Sequence, residues 1–309
     1  MARRRRGRPI HGWIAVDKPK GMSSAHAVAR VRRIVDAAKA GHAGTLDPLA
    51  TGVLPVALGE ATKTASWATA GDKTYRFMLR WGERRDTDDG EGAVIETGDL
   101  RPSEAAILSV LDRFTGDIAQ RPPRYSAVKL DGRRSYDLAR DAVEFELPER
   151  VVTVRTLVLL DMPDADRAVF ETRCGKGTYV RSLARDLAEA LGTVGHAEEI
   201  RRLAVGPFTE ADSIPLDILE TLVHSAPAQD YLLPIEAALD DIPAVPVSDS
   251  QASLLRHGQP VRISARERGV IAAERVAEGD TVIAMADGVL VALARFEDGA
   301  IRPTRVINP

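Results

Sequence analysis

Residues 41–63 read GHAGTLDPLATGVLPVALGEATK, and the stretch changes character at Gly52. Up to and including it, three glycines and Pro48 fall within twelve residues, a composition no regular element accommodates. After it, Val53–Leu58 is an apolar run that reads as a buried strand. Asp47 precedes Pro48, which disfavours helical torsions at Asp47 and holds it extended. The flanking glycines let backbone approach a ligand closely. A carboxylate on such a loop is a candidate nucleophile or general base, with His42 close by in sequence. Asp-Pro is also a common turn former, so the dipeptide alone establishes a turn and not a catalyst.

The elements on either side frame this loop. Residues 12–16 (GWIAV) read as a strand entering the turn DKPKG at 17–21. Ser23 or Ser24 then caps a helix with Val28, Val31 and Val35 on one face. Residues 73–81 (KTYRFMLRW) are strand-like, and the acidic stretch 83–92 reads as a solvated loop. Ser103 opens a helix with Ile107, Leu108, Leu111 and Phe114 at helical spacing, and Gly116 stops it. Residues 120–150 read as an inserted lobe. Val151–Leu160 and Ala168–Cys174 are strands, 175–177 is a turn, and Tyr179–Leu191 is a helix closed by Gly192. The Pro-rich, acidic stretch 225–250 reads as a linker. Beyond it, 281–286 and 289–296 flank Asp287-Gly288, a hairpin signal. The pattern is α+β followed by a small β unit.

Composition narrows the chemistry. The 309 residues are 44% apolar and 28% charged, ordinary for a soluble protein. The single Cys174 excludes an intrachain disulfide and a cysteine-rich zinc module, and fits a reducing, cytoplasmic setting. No run is long and apolar enough to span a membrane, and the basic N-terminus lacks the apolar core of a secretory signal. The six histidines form no HxxxH pair, and no nucleotide-binding glycine motif occurs, so neither metal nor cofactor is expected. The net charge of −3 hides an asymmetry. Residues 1–50 hold 11 Lys+Arg against 3 Asp+Glu, and residues 201–250 hold 2 against 9. A polyanion responds to local potential, so the sum does not exclude RNA. Arg3, Arg4, Arg5, Arg6 and Arg8 form either a soluble tail or a phosphate-contacting arm.

Taken whole, the stretch 41–63 resembles the central motif of the TruB-type tRNA pseudouridine synthases. VDKPKGMSS (16–24), DKTYRF (72–77), KGTYVRSLARDLAEALG (176–192) and IRRLAVG (200–206) are similar to that family's other motifs, in order. GDIAQRPPRYSAVKLDGRRSYDLAR (116–140) resembles its RNA-gripping thumb, and LLRHGQPV (254–261) with IRPTRVI (301–307) is similar to a PUA-type RNA-binding domain. The resemblance implies a pseudouridine synthase fold with a mixed, largely antiparallel sheet. It implies a basic tail at 1–9, a catalytic domain at 10–240 with the thumb near 120–150, and a PUA-like domain at 246–309. It also implies isomerisation of uridine at position 55 in the TΨC arm of tRNA, without metal or cofactor, by a stand-alone bacterial enzyme, and a monomer is the default expectation. By carry-over Asp47 is the catalytic aspartate, Tyr75 stacks on the flipped base, and Arg181 pairs with Asp47 and aims it. Tyr179 and Ile200 line the pocket, and His42 helps to flip or hold the base. Lys18 and Lys20, with Lys129, Arg133 and Arg134, are candidate phosphate contacts. The alternatives are a non-catalytic RNA-binding or folding protein, a guide-dependent synthase, and, remotely, a metal-dependent hydrolase.

Overall fold

The computed structural model describes residues 7–308 except Asp131 and Ala142. Arg3–Arg6 of the basic tail lie outside the described residues. A mixed sheet forms the larger body. Its strands run in the order Ile214–Pro215, Gly12–Lys18, Thr51–Leu58, Gly195–Val205, Lys73–Trp81, Arg167–Cys174, Arg150–Asp164 and Gly116–Gln120. Gly12–Lys18 runs parallel to Ile214–Pro215, and Thr51–Leu58 runs parallel to Gly195–Val205. The remaining neighbours in that order are antiparallel. The expected α+β class and mixed, largely antiparallel sheet are therefore present.

The parallel junction is short. Only Arg201↔Thr51 and Arg202↔Gly52 pair across it; beyond Gly52 the strand Thr51–Leu58 pairs instead with Ala40–His42, and the Ala43 N–H donates to Pro55 O. Gly52 has φ +99°, and a Cβ there would lie 2.2 Å from the Arg202 carbonyl oxygen. Glycine is required on both counts.

One face of the sheet packs under the helices Ser24–Ile34 and Val180–Ala190, with Val31, Leu54, Phe77, Phe170, Leu183 and Leu187 buried among one another. Ser23 caps the first helix, accepting from the His26 N–H. A second core joins the body to a five-stranded sheet that begins at Ala244, through Trp13, Phe208, Ile283, Leu293 and Ile307. Its hairpin turns at Asp287 and Gly288, both with positive φ, as the Asp-Gly pair requires.

Two readings are corrected. The stretch 83–92 is not a solvated loop. Glu83–Arg85 pairs with Val94–Thr97, and Asp88 and Asp89 are buried. The 225–250 stretch is not a free linker. Ile235, Ala238 and Leu239 are buried, and the Trp13 indole N–H donates to the Ile235 carbonyl at 3.1 Å. In both places a buried arginine or tryptophan needs the partner that the polar segment supplies.

Gly52→Ala should cost about 1–3 kcal/mol in backbone strain and a comparable amount in overpacking. A denaturation midpoint unchanged from the parent chain would contradict the close approach at Arg202.

Candidate active site

The loop carrying Asp47 is held at every carbonyl from Gly44 to Pro48. The Arg202 guanidinium donates to Gly44 O at 3.0 Å, Thr45 O at 3.2 Å and Val53 O at 2.8 Å. The Ser24 hydroxyl donates to Leu46 O at 2.8 Å and accepts from Leu46 N–H at 2.7 Å. The Ala50 N–H closes on Asp47 O at 3.1 Å. Pro48 O accepts from Gly21 N–H at 2.7 Å and from Lys18 Nζ at 3.3 Å. Leu46 and Leu49, to either side of Asp47, are buried in the core. The Asp47 side chain stays 39% exposed between these two anchors.

Arg181 meets Asp47 from the first turn of the helix Val180–Ala190. Its Nη2 lies 2.8 Å from Asp47 Oδ2, and its own side chain is only 4% exposed. Nη1 pairs with Asp89 Oδ2 at 3.2 Å and donates to Thr87 O at 2.9 Å, and Nη2 donates to Tyr125 O at 3.0 Å. Asp89 is itself held by the Thr87 hydroxyl at 2.6 Å and the Glu91 N–H at 3.1 Å. One turn later Arg185 repeats the pattern, pairing with Asp88 at 2.8 Å and donating to Arg121 O at 2.9 Å. The i, i+4 spacing of two arginines thus matches two consecutive aspartates. Burial pushes the Asp88 carboxyl up, against the pull of Arg185.

The expected lobe is tied to this helix at its root. Gln120 bridges the Tyr179 N–H and carbonyl, and the Ser182 hydroxyl donates to Arg121 O. Ser126 and Ala127 of the lobe then help to enclose a pocket of about 300 Å³ with Asp47, Tyr75, Tyr179, Arg181 and Ile200. A second pocket of about 350 Å³, lined by Tyr125 and Tyr136, shares Asp47 and Arg181 with the first.

Asp47, Tyr75, Tyr179, Arg181 and Ile200 are thus brought together around one pocket. Burial pushes the Tyr75 phenol up and so keeps it neutral. His42 ends the short strand Ala40–His42, outside the pocket lining, with a buried Nδ1 that has no hydrogen-bond partner among the described residues. Burial, then Arg202, holds its imidazole below the ordinary value and hence neutral. Lys20 is exposed on its turn, as a phosphate contact requires. Lys18 occupies a different place from the one expected. It is fully buried, and its ammonium donates to Pro19 O, Met22 O and Pro48 O, which leaves no N–H for a phosphate. Lys129 and Arg133 are exposed on the lobe, while the Arg134 side chain lies outside those described.

Three further groups at the site escaped the sequence reading: Asp89, Arg202 and Lys73. The adjacent Asp88-Asp89 pair, set against Arg181 and Arg185 at helical spacing, was the available signal for the first. Among the described residues no group of three His, Cys, Asp or Glu side chains is placed to hold a metal ion. No described helix is long and apolar enough to cross a membrane.

Comparison with known proteins gives a consistent result. Residues 32–180 match the profile of the TruB family pseudouridylate synthase N-terminal domain, and residues 181–240 match that of the tRNA pseudouridylate synthase B C-terminal domain. A tRNA pseudouridine synthase B of Rhodospirillum rubrum is 55% identical over 309 residues, covering 100% of both chains. One of Bradyrhizobium diazoefficiens is 53% identical, covering 99% of this chain and 88% of its own. A solved Cbf5-Nop10-Gar1 complex contains a chain with TM-score 0.72 and 27% identity, covering 97% of this chain and 85% of that one. A structure of an H/ACA RNP bound to a substrate RNA containing 2'-deoxyuridine gives TM-score 0.72 at 25% identity, covering 100% and 92%. The chain belongs to the TruB family of tRNA pseudouridine synthases, isomerases that convert uridine in tRNA to pseudouridine.

Proposed function

We propose that the target is the uridine at position 55 in the TΨC arm, and that Asp47 is the residue acting at its C1′ carbon. The observation that carries this reading is the Asp47–Arg181 pair at 2.8 Å on the wall of a pocket of about 300 Å³. The base is stacked in folded tRNA and must be flipped to reach Asp47, at a cost of a few kcal/mol. Tyr75 offers the flipped base an aromatic face, which recovers part of that cost. Isomerisation breaks the C1′–N1 bond and forms a C1′–C5 bond. The C5 proton then leaves and N1 gains one, so the net change is nil and no external oxidant or reductant is needed. Asp47 serves either as the nucleophile at C1′ or as the charge that stabilises the separated sugar. The detached uracil turns within the pocket, which Ser126 and Ala127 of the lobe help to line, and a bound base would displace water from it. The enzyme works as a cytoplasmic monomer. The catalytic body spans residues 10–240, and residues 246–309 add a PUA-like RNA-binding unit.

The likeness to a chain from an H/ACA RNP favours one second reading, a synthase that needs a guide RNA. Turnover of a naked TΨC stem-loop by the purified chain excludes that need, and absence of turnover until a guide is added would establish it.

Pseudouridine mapping on tRNA treated with wild type should show modification at position 55. Asp47→Asn should lower the single-turnover rate by at least about 1,000-fold, a loss on the scale of removing a nucleophile or its main charge, while tRNA affinity survives. Wild-type-level product from Asp47→Asn would remove Asp47 from the chemistry. Affinity for tRNA should fall steeply with salt, through release of counterions from several phosphates. A flat salt response would contradict a basic binding face. Deleting residues 1–8 should weaken binding modestly, and unchanged binding would assign those arginines to a mere tail.

A further inference from the structure

The floor of the pocket holds two cations that are not neutralised. Lys73 and Tyr75 lie two apart on one strand, so both side chains leave the same face. Ile200 and Arg202 do the same on the neighbouring strand, with Arg202 directly across from Tyr75. All four line the pocket. Lys73 is 6% exposed and Arg202 is 1% exposed. Among the described residues neither has a carboxylate within ion-pairing distance, whereas Arg181 pairs with Asp47 and Asp89, and Arg185 with Asp88 and Asp186. An unpaired buried charge is costly, so its retention calls for a physical reason.

The hydrogen bonds separate the two cations. Arg202 spends its guanidinium on the Gly44, Thr45 and Val53 carbonyls, which places the Asp47 loop. The Lys73 ammonium donates to the Thr69 and Gly71 carbonyls at the end of the helix Ala65–Ala70. Those two acceptors leave one of its three N–H groups free, unlike Lys18, whose three are all taken. The two carbonyls anchor the nitrogen and favour its charge, but they are neutral acceptors. They supply no counter-charge to it.

We infer that Lys73 is a catalytic residue whose ammonium stabilises the uracil anion released when the C1′–N1 bond breaks. The electron pair of that bond stays with the base and spreads from N1 onto the O2 and O4 oxygens. This holds whether Asp47 bonds to C1′ or only stabilises the sugar, because the departing base is an anion in both cases. A preorganised, buried cation acts where that charge develops and not on the neutral ground state. The third N–H is left to donate to a uracil oxygen while the other two keep the helix end. Burial pushes Lys73 down to about 8, which leaves it protonated near pH 7. The inference rests on the reading of this pocket as the place of base transfer.

The test uses the full chain and two TΨC stem-loops under single-turnover conditions, one with uridine and one with 5-fluorouridine at the target. Fluorine withdraws electrons and makes the base a better leaving anion, so it reduces the need for an external cation. Lys73→Met should consume uridine about 100-fold more slowly than wild type, the scale of losing one charge-stabilising donor, with stem-loop affinity nearly unchanged. The same variant should lose markedly less on 5-fluorouridine, and Lys73→Arg should recover most of the rate. Equal losses on the two substrates, or a loss confined to affinity, would reduce Lys73 to a helix-end anchor and overturn the inference. Should Lys73→Met fail to fold, Lys73→Gln against Lys73→Arg decides, and equal rates for those two would overturn it. A wild type inactive on both stem-loops, with and without an added guide RNA, would instead refute the pocket reading itself.

Discussion

Arg181 is the constraint on which the site depends. It is almost completely enclosed, so its charge must be answered inside the protein. Four groups answer it: Asp47, Asp89 and the carbonyls of Thr87 and Tyr125. They come from the Asp-Pro loop, from the turn after Glu83–Arg85 and from the lobe. One guanidinium thereby fixes three segments that are distant in sequence. The two carboxylates differ in exposure. Asp89 is 6% exposed and Asp47 is 39% exposed. The inner carboxylate can keep Arg181 in place while the outer one engages substrate.

A second layer of cations works on backbone and not on charge. Lys18 and Arg202 end on carbonyls to either side of Asp47, and Ser24 holds Leu46 between them. Such bonds to charged donors are the stronger kind and fix direction as well as distance. Gly52 lets the strand bearing Arg202 come close enough to do this. The loop that looked irregular in composition is therefore rigid in place. A carboxylate that must meet one carbon of a flipped nucleotide gains from that rigidity.

Much of this was legible in the sequence. Lys73–Trp81 is a strand with the bounds read from its alternation, Ser23 caps its helix, and Asp287-Gly288 makes its hairpin. Asp47, Tyr75, Tyr179, Arg181 and Ile200 meet at one pocket, as the family motifs implied. What escaped was the pairing of charges. A run such as Asp86–Glu91 looks the same whether water or a buried arginine answers it, because sequence displays charge and not its partner. Lys18 was misplaced for the same reason, since a lysine beside a turn resembles a surface contact until its three carbonyl acceptors are seen. The 225–250 segment carries the prolines and acids of a linker, and only Trp13 shows that it is packed.

The most direct measurement of the central claim is a double-mutant cycle on Arg181 and Asp89, read as single-turnover pseudouridine formation on a TΨC stem-loop. If Asp89 acts only by holding Arg181 against Asp47, Arg181→Met with Asp89→Asn should be no slower than Arg181→Met alone. Losses that multiply across the two positions would show that the residues act independently, and would contradict the account.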